Sequence, residues 1–251
     1  MRLPDFVIGG APRCGTTWLA AALDRHPSLY MAKPAKPEPK FFLVDALYAR
    51  GLEYYARTWF ADVPAGRLAG EKSTDYLESA AAAERIARDL PDTRLIFMLR
   101  EPVERAYSNY RWTRMNGLEH EDFETALRLE DDREQTLPEP LRFARPYSYY
   151  SRGVYADLLQ RYFDRIDRRR ILVAKFEDIA ERPSELLTQV HTFLGVVPRP
   201  GDADNLGVVN PSERRDEDAI PPHVRAQLRA RYQEPNERLR TLLGPGFELW
   251  D

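Results

Sequence analysis

Hydrophobic and polar positions along the chain follow two periods in turn. Short apolar runs bounded by turn residues read as buried strands: Phe6-Val7-Ile8-Gly9-Gly10, the arginine-framed run from Arg94 to Arg100, and Ile171 to Ala174. Between and beyond them lie stretches at helical spacing. Thr16 to Arg25 carries Trp18, Leu19, Ala22 and Leu23 near that spacing and is closed by Pro27. Tyr54 to Phe60, Ser79 to Arg88, Val103 to Trp112 behind Pro102, Val154 to Arg165 and Leu186 to Leu194 read likewise as helices. Val224 to Leu243 is a terminal helix with a potential break at Pro235. Lys33 to Lys40, rich in proline and lysine, is a loop, as is Asn205 to Pro222. The charged, proline-bearing stretch Glu119 to Pro146 is expected to be partly helical surface or lid. Strands alternating with helices predict a three-layer α/β fold, a mostly parallel central sheet flanked by helices. With no repeat or linker in view, residues 1–251 are expected to form a single domain.

Composition narrows the class of function. A chain of 251 residues that is 43% hydrophobic and 31% charged has enough apolar material for a core. Its formal net charge of -3 supplies no global basic field, so no nucleic-acid partner is expected and an anionic ligand needs a local cationic pocket. The single cysteine, Cys14, excludes an intrachain disulfide. No leader is visible, and no apolar run approaches the ~20 residues of a membrane helix. A cytoplasmic protein without a membrane span is expected. Oligomeric state is not legible.

The strongest local chemistry is strand, then Gly10-Ala11-Pro12-Arg13-Cys14-Gly15-Thr16-Thr17, then helix. Glycines let backbone N–H groups approach an anion, and a helix N-terminus adds partial positive charge. Thr16 and Thr17 add hydroxyls. The spacing is that of the phosphate loop G-x-x-x-x-G-K-[ST], but Thr16 stands where the lysine belongs and the positive charge comes earlier, at Arg13. That substitution argues against a kinase or ATPase. Cys14 reads as a small loop residue. A second candidate anion site follows the second strand: Arg100 at the strand's C-terminal end and Ser108 on the next helix, an arginine fork plus a hydroxyl. Arg100 pairing merely with Glu101 or Glu104 is the alternative.

Together the two segments resemble the PAPS (3′-phosphoadenosine 5′-phosphosulfate) dependent sulfotransferase family, whose fold is of the P-loop nucleotide-binding type. Pro12-Arg13-Cys14-Gly15-Thr16-Thr17-Trp18-Leu19 is similar to its 5′-phosphosulfate loop, and Leu99-Arg100-Glu101-Pro102-x-x-Arg105-x-x-Ser108 to its 3′-phosphate motif. Leu23-x-x-His26-Pro27, Gly70-Glu71-Lys72-Ser73-Thr74 and Glu234-Pro235-Asn236, with Phe247 and Trp250 beyond, extend the likeness. These features resemble the heparan-type carbohydrate branch and its bacterial relatives most closely. That branch carries a glutamate that serves as catalytic base shortly before a pair of phenylalanines, here Glu38-Pro39-Lys40-Phe41-Phe42.

The resemblance implies a site set. Glu38 would be the catalytic base, and Arg13 and Lys72 would neutralise charge on the transferring group. Arg13, Cys14, Gly15, Thr16, Thr17 and Trp18 would hold the 5′-phosphosulfate, and Arg100 and Ser108 the 3′-phosphate. Arg214 and Arg215 lie where a glycine–basic segment usually closes over the 3′-phosphate, and the segment Tyr147 to Gly153 would border the nucleotide. PAPS is the implied co-substrate and PAP (3′,5′-adenosine bisphosphate) the product. The implied acceptor is a small molecule or glycan, and no metal is required. Many members have lysine where Arg13 stands, and the branch's frequent disulfide cannot form here. Phe41, Phe42, Tyr54, Tyr55 and Trp59 are expected in the core, and His120 is a minor candidate for touching an acceptor. A P-loop small-molecule kinase and a non-catalytic PAP-binding protein remain as rivals.

Overall fold

The computed structural model describes residues 1–138, 141–142, 144–204, 206–207 and 219–250. The chain forms two compact units, Met1–Leu99 with Arg161–Asn210, and Arg100–Gln160 with Pro211–Asp251.

Unit 1 is built on five parallel strands, β1 (Phe6–Gly10), β2 (Leu29–Met31), β3 (Leu68–Lys72), β4 (Arg94–Leu99) and β5 (Ile171–Lys175), in the order β2-β3-β1-β4-β5. The three apolar runs are β1, β4 and β5, and β1 and β4 are buried almost throughout. Two strands do not announce themselves. β2 is three residues long, and β3 reads Leu-Ala-Gly-Glu-Lys, too polar for an apolar run. β3 nevertheless lies inside the sheet between β1 and β2, with Phe6 opposite Gly70 and Ile8 opposite Lys72. Helices α1 (Thr16–Asp24), α2 (Asp45–Tyr48), α3 (Gly51–Trp59) and α4 (Ala80–Asp89) belong to this unit, α3 beginning three residues before its apolar signal. Ser79 caps α4, its hydroxyl accepting from Ala82 N at 3.1 Å.

Gly70 has a packing reason. A Cβ there would lie 2.1 Å from Cζ of Phe6, its register partner. Gly70→Ala is therefore expected to destabilise the fold by about 1–3 kcal/mol through overpacking of the sheet face. Urea denaturation measures this, and an unchanged midpoint would refute it.

Unit 2 is helical: α5 (Pro102–Met115), α6 (Phe123–Arg128), α7 (Glu130–Thr136) and α11 (Pro222–Leu243), while α8 (Tyr155–Phe163) starts in it. Val103, Ala106, Tyr110, Phe123, Tyr149 and Val224 lie in its core. Pro222 opens α11, where a missing N–H costs nothing. Pro235 does not break that helix. It cannot donate to the carbonyl four residues back, Arg231 O, and there the hydroxyl of Tyr150 donates instead at 3.1 Å. The charged stretch after Glu119 is not all surface, since Glu119 and Glu130 are buried. Glu119 accepts from Tyr149 Oη and Arg133, both at 2.6 Å. Glu130 accepts from Tyr150 N at 2.6 Å and Ser151 N at 2.8 Å. Partners of this quality are what a buried carboxylate requires. Of the Asn205–Pro222 loop, most lies outside the described residues, Arg214 and Arg215 with it. The remaining elements are α9 (Asp178–Glu181) and α10 (Pro183–Leu194), both in unit 1.

Candidate active site

The loop after β1 leads into a helix whose N-cap residue, Gly15, has no side chain to cap it. Gly15 occupies the N-cap of α1 at φ +76°, a left-handed conformation that favours glycine, and a Cβ there would meet Ile179 Cδ1 at 2.3 Å. Its carbonyl already accepts from Leu19 N at 3.0 Å. The first N–H groups of α1 receive no bond from the N-cap side chain and carry the helix's partial positive charge, a ready anion cradle. Ala11 N donates to Met98 O at 2.8 Å and ties the loop to β4. Arg13 also has positive φ, +67°. Cys14, Thr16 and Trp18 are buried, while Arg13, Gly15 and Thr17 are partly exposed. The Cys14 thiol lies 3.6 Å from Pro12 O, which agrees with a small loop residue.

Glu38 and Lys72 form an ion pair, with side-chain exposures of 16% and 12%, so that each is partly screened from water. Glu38 also accepts from Thr74 N at 3.1 Å and Thr74 Oγ1 at 3.2 Å. Lys72 Nζ lies 3.5 Å from Thr17 Oγ1 on the first turn of α1. The ammonium group thus joins the carboxylate to the anion cradle, within unit 1 and across 34 and 55 residues of sequence respectively. Lys72 is not a solvated charge. Two of the lysines near Glu38 in the sequence pair elsewhere, Lys33 with Asp24 at 2.5 Å and Lys40 with Asp75 at 2.6 Å.

Phe41, Phe42 and Tyr55 are fully buried and Trp59 nearly so, in agreement with a core role, whereas Tyr54 is only half-buried. The ring of Phe41 stacks on Tyr55 at 4.5 Å between centroids. Beneath them lies Glu71, fully buried in β3 and not singled out by the sequence. Tyr55 Oη donates to its Oε1 at 2.8 Å and Ser73 Oγ to its Oε2 at 3.0 Å. Burial is the main cause that pushes its carboxyl up to about 7, opposed by hydrogen bonds from Tyr55, Ser73 and Tyr76 and reinforced by the charge of Glu38.

In unit 2, Arg100 precedes α5. The hydroxyl of Tyr155 donates to Arg100 O at 2.9 Å and fixes the backbone there. Glu101 caps α5, accepting from Glu104 N at 2.7 Å, and Glu104 pairs with Arg225 at 2.6 Å. Ser108 is buried on α5. Ser151–Gly153 forms a 3-10 turn whose first amide, like that of Tyr150, bonds to Glu130. His120 is exposed.

Sequence spacing gave no hint of His26, His191 and Asp202 meeting in unit 1, all buried, with potential ligand atoms within 4.8 Å of one another. Their hydrogen bonds do not suit a metal. Nδ1 of His26 accepts from Ser28 N at 3.1 Å and Nδ1 of His191 from Arg199 N at 3.2 Å. Each ring is thereby assigned its proton on Nε2, and that of His26 points to Val197 O at 2.9 Å. Burial, then His26, pushes the His191 imidazole down to about 4, so it stays neutral.

Comparison with known proteins places this geometry. The model of the sulfotransferase domain matches residues 3–206. The Dictyostelium discoideum membrane-associated sulfotransferase kil1 is 24% identical over 98% of this chain, which spans 66% of that protein. The human bifunctional heparan sulfate N-deacetylase/N-sulfotransferase 3 is 30% identical over 78% of this chain but matches over only 23% of its own length. A crystal structure of a sulfotransferase from Alicyclobacillus acidocaldarius superposes with a TM-score of 0.81 at 28% identity, covering 99% of this chain and 98% of that one. An uncapped phosphate loop lacking the kinase lysine, inside a domain match that takes in most of the chain, means that the protein belongs to the sulfotransferase family.

Proposed function

We propose that the 251 residues act as one sulfotransferase domain that moves a sulfonate group from PAPS to a hydroxyl, less favourably an amine, of a sugar, lipid or natural-product acceptor. Sulfotransferases use PAPS as the donor, and the donor set here suits it: uncapped N–H groups, two threonine hydroxyls and nearby cations. The observation that carries the reading is Lys72 Nζ bridging Glu38 and Thr17. It sets a carboxylate base beside an anion cradle through one shared cation.

The chemistry is an in-line displacement in which positioning and charge stabilisation do most of the work. Glu38 takes the acceptor's hydroxyl proton as its oxygen bonds to sulfur. The bond from sulfur to the bridging phosphate oxygen breaks, and its electron pair leaves on PAP. Lys72 and Arg13 neutralise negative charge on the sulfonyl and bridging oxygens. The amides of α1 with Thr16 and Thr17 hold the 5′-phosphate, Cys14, Gly15 and Trp18 complete the loop, and Arg100 and Ser108 hold the 3′-phosphate. No step needs a metal. Among the described residues no helix is long and apolar enough to cross a membrane. A cytoplasmic enzyme of bacterial type, acting in secondary metabolism, is the setting that this reading implies.

Calorimetric titration with PAP in the absence of magnesium tests the donor site. Micromolar binding is expected, weakened about 10- to 100-fold in Arg100→Ala and less in Ser108→Ala, with ATP a poor ligand. Absence of PAP binding, or magnesium-dependent ATP binding, would sink the donor assignment. PAP binding without turnover against any hydroxyl or amine acceptor presented with labelled PAPS would favour a non-catalytic nucleotide-binding protein.

A further inference from the structure

We propose that Glu71 is a positioning residue for Glu38: its carboxylate orients the hydroxyls of Tyr55, Ser73 and Tyr76, and these fasten the backbone and rings of residues 40–42, directly behind the base. The inference rests on Glu38 serving as that base.

The three groups that meet Glu71 are the same three that hold this stretch. Ser73 Oγ donates to Glu71 and accepts from Lys40 N at 2.9 Å. Tyr76 bonds to Glu71 and its hydroxyl accepts from Phe42 N at 3.2 Å. Tyr55 donates to Glu71 while its ring stacks on Phe41 and meets the edge of Phe42 at 5.3 Å. Lys40 has φ +48°, so the backbone between the base and the phenylalanines sits in a conformation that outside contacts must hold. Glu38 itself is fixed by Lys72 and Thr74, which flank Ser73. β3 and the residues after it therefore present one group to Glu38 and the next to the loop behind it.

Charge matters to this arrangement. An ionised carboxylate only accepts, so all three hydroxyl protons turn towards it and the oxygens of Ser73 and Tyr76 keep lone pairs for the two amides. A protonated carboxyl carries a donor of its own and competes for those oxygens. The groups facing Glu71 are Tyr55 from α3, Tyr76 from the turn after β3, and Glu38 from the loop. Among the described residues no lysine or arginine pairs with it, since Lys72 turns to Glu38 and Lys40 to Asp75. With its carboxyl pushed up to about 7, the network changes state near neutral pH. The folded value lies above the unfolded one. Glu71 therefore contributes stability below the ordinary glutamate range, and that contribution is lost as pH rises through about 7. Positioning by the ionised form gains over the same interval.

Hydrogen exchange of the Lys40 and Phe42 amides, corrected for intrinsic rates, tests this on the full chain. In the wild type, protection at both is expected to drop about tenfold between pH 8 and pH 6. In Glu71→Gln, which mimics the neutral carboxyl, it should be low and independent of pH. In Ser73→Ala the Lys40 amide should lose protection and the Phe42 amide keep it. PAP affinity should stay within about twofold in both variants, whereas kcat with labelled PAPS and the acceptor recovered by screening should fall about tenfold without a change in KM for PAPS. Wild-type protection in Glu71→Gln, with no pH dependence in either protein, overturns the positioning role. Lost protection with unchanged kcat overturns the positioning of Glu38 by Glu71, whereas unchanged kcat in Glu38→Gln would overturn the base role on which the inference rests. If Glu71→Gln fails to fold, the wild-type pH series and Ser73→Ala decide alone.

Discussion

Glu38→Gln is expected to lower kcat for sulfonate transfer by about 10²- to 10⁴-fold, the usual contribution of a positioned general base. PAP affinity should stay within about twofold, because the side chain lies outside the phosphate loop. Glutamine is nearly the same size and can still accept from Thr74 N, which Glu38 does at 3.1 Å, so the local fold should survive. It loses the charge that pairs with Lys72 and the lone pair that takes a proton. A drop in kcat with unchanged donor binding is the signature of an interaction made only during reaction. The measurement is steady-state transfer from labelled PAPS beside calorimetry with PAP. A loss below tenfold would place the base elsewhere and leave Glu38 as a holder of Lys72.

How far the site is legible without coordinates depends on the kind of residue. The phosphate loop is readable because its chemistry is local: strand, glycines and helix start lie within a dozen residues, and the uncapped N-terminus of α1 follows from Gly15. Glu38 and Lys72 are 34 residues apart, and their pairing with each other rather than with Lys33, Lys36 or Lys40 depends on β3 lying beside β1. β3 was the element hardest to see. Its strand signal is hidden by Gly70, Glu71 and Lys72, and each of these has a tertiary cause: the ring of Phe6, three hydroxyls and the site itself. Glu71 is legible only as part of a motif, because burial of a carboxylate cannot be inferred from a sequence in which its hydroxyl partners are scattered over residues 55 to 76. Likewise the continuity of α11 through Pro235 needs Tyr150, 85 positions earlier, to satisfy Arg231 O. Short-range grammar predicts the elements. What polar groups do inside them is decided by partners that only the fold assembles.

Lys72→Met should lower kcat by about 10²- to 10³-fold, the scale of losing one charge-stabilising group in a site partly closed to water. The ammonium has two contacts, the Glu38 carboxylate and Thr17 Oγ1 at 3.5 Å, and so two roles. Before reaction it holds the base; as the bond to sulfur breaks it faces the oxygens that gain charge beside the start of α1. Methionine keeps the bulk and removes both. If the roles belong to one unit, the double variant Glu38→Gln/Lys72→Met should be no more than about tenfold slower than the slower single variant, since neither group can act fully without the other. Fully additive losses would show instead that Lys72 serves the leaving group alone and that its pairing with Glu38 carries no catalytic weight. Retention of kcat within about threefold in Lys72→Met would reduce the pair to a structural link. Arg13 would then be the group left to carry the charge, a choice that Arg13→Ala, measured beside the other two, resolves.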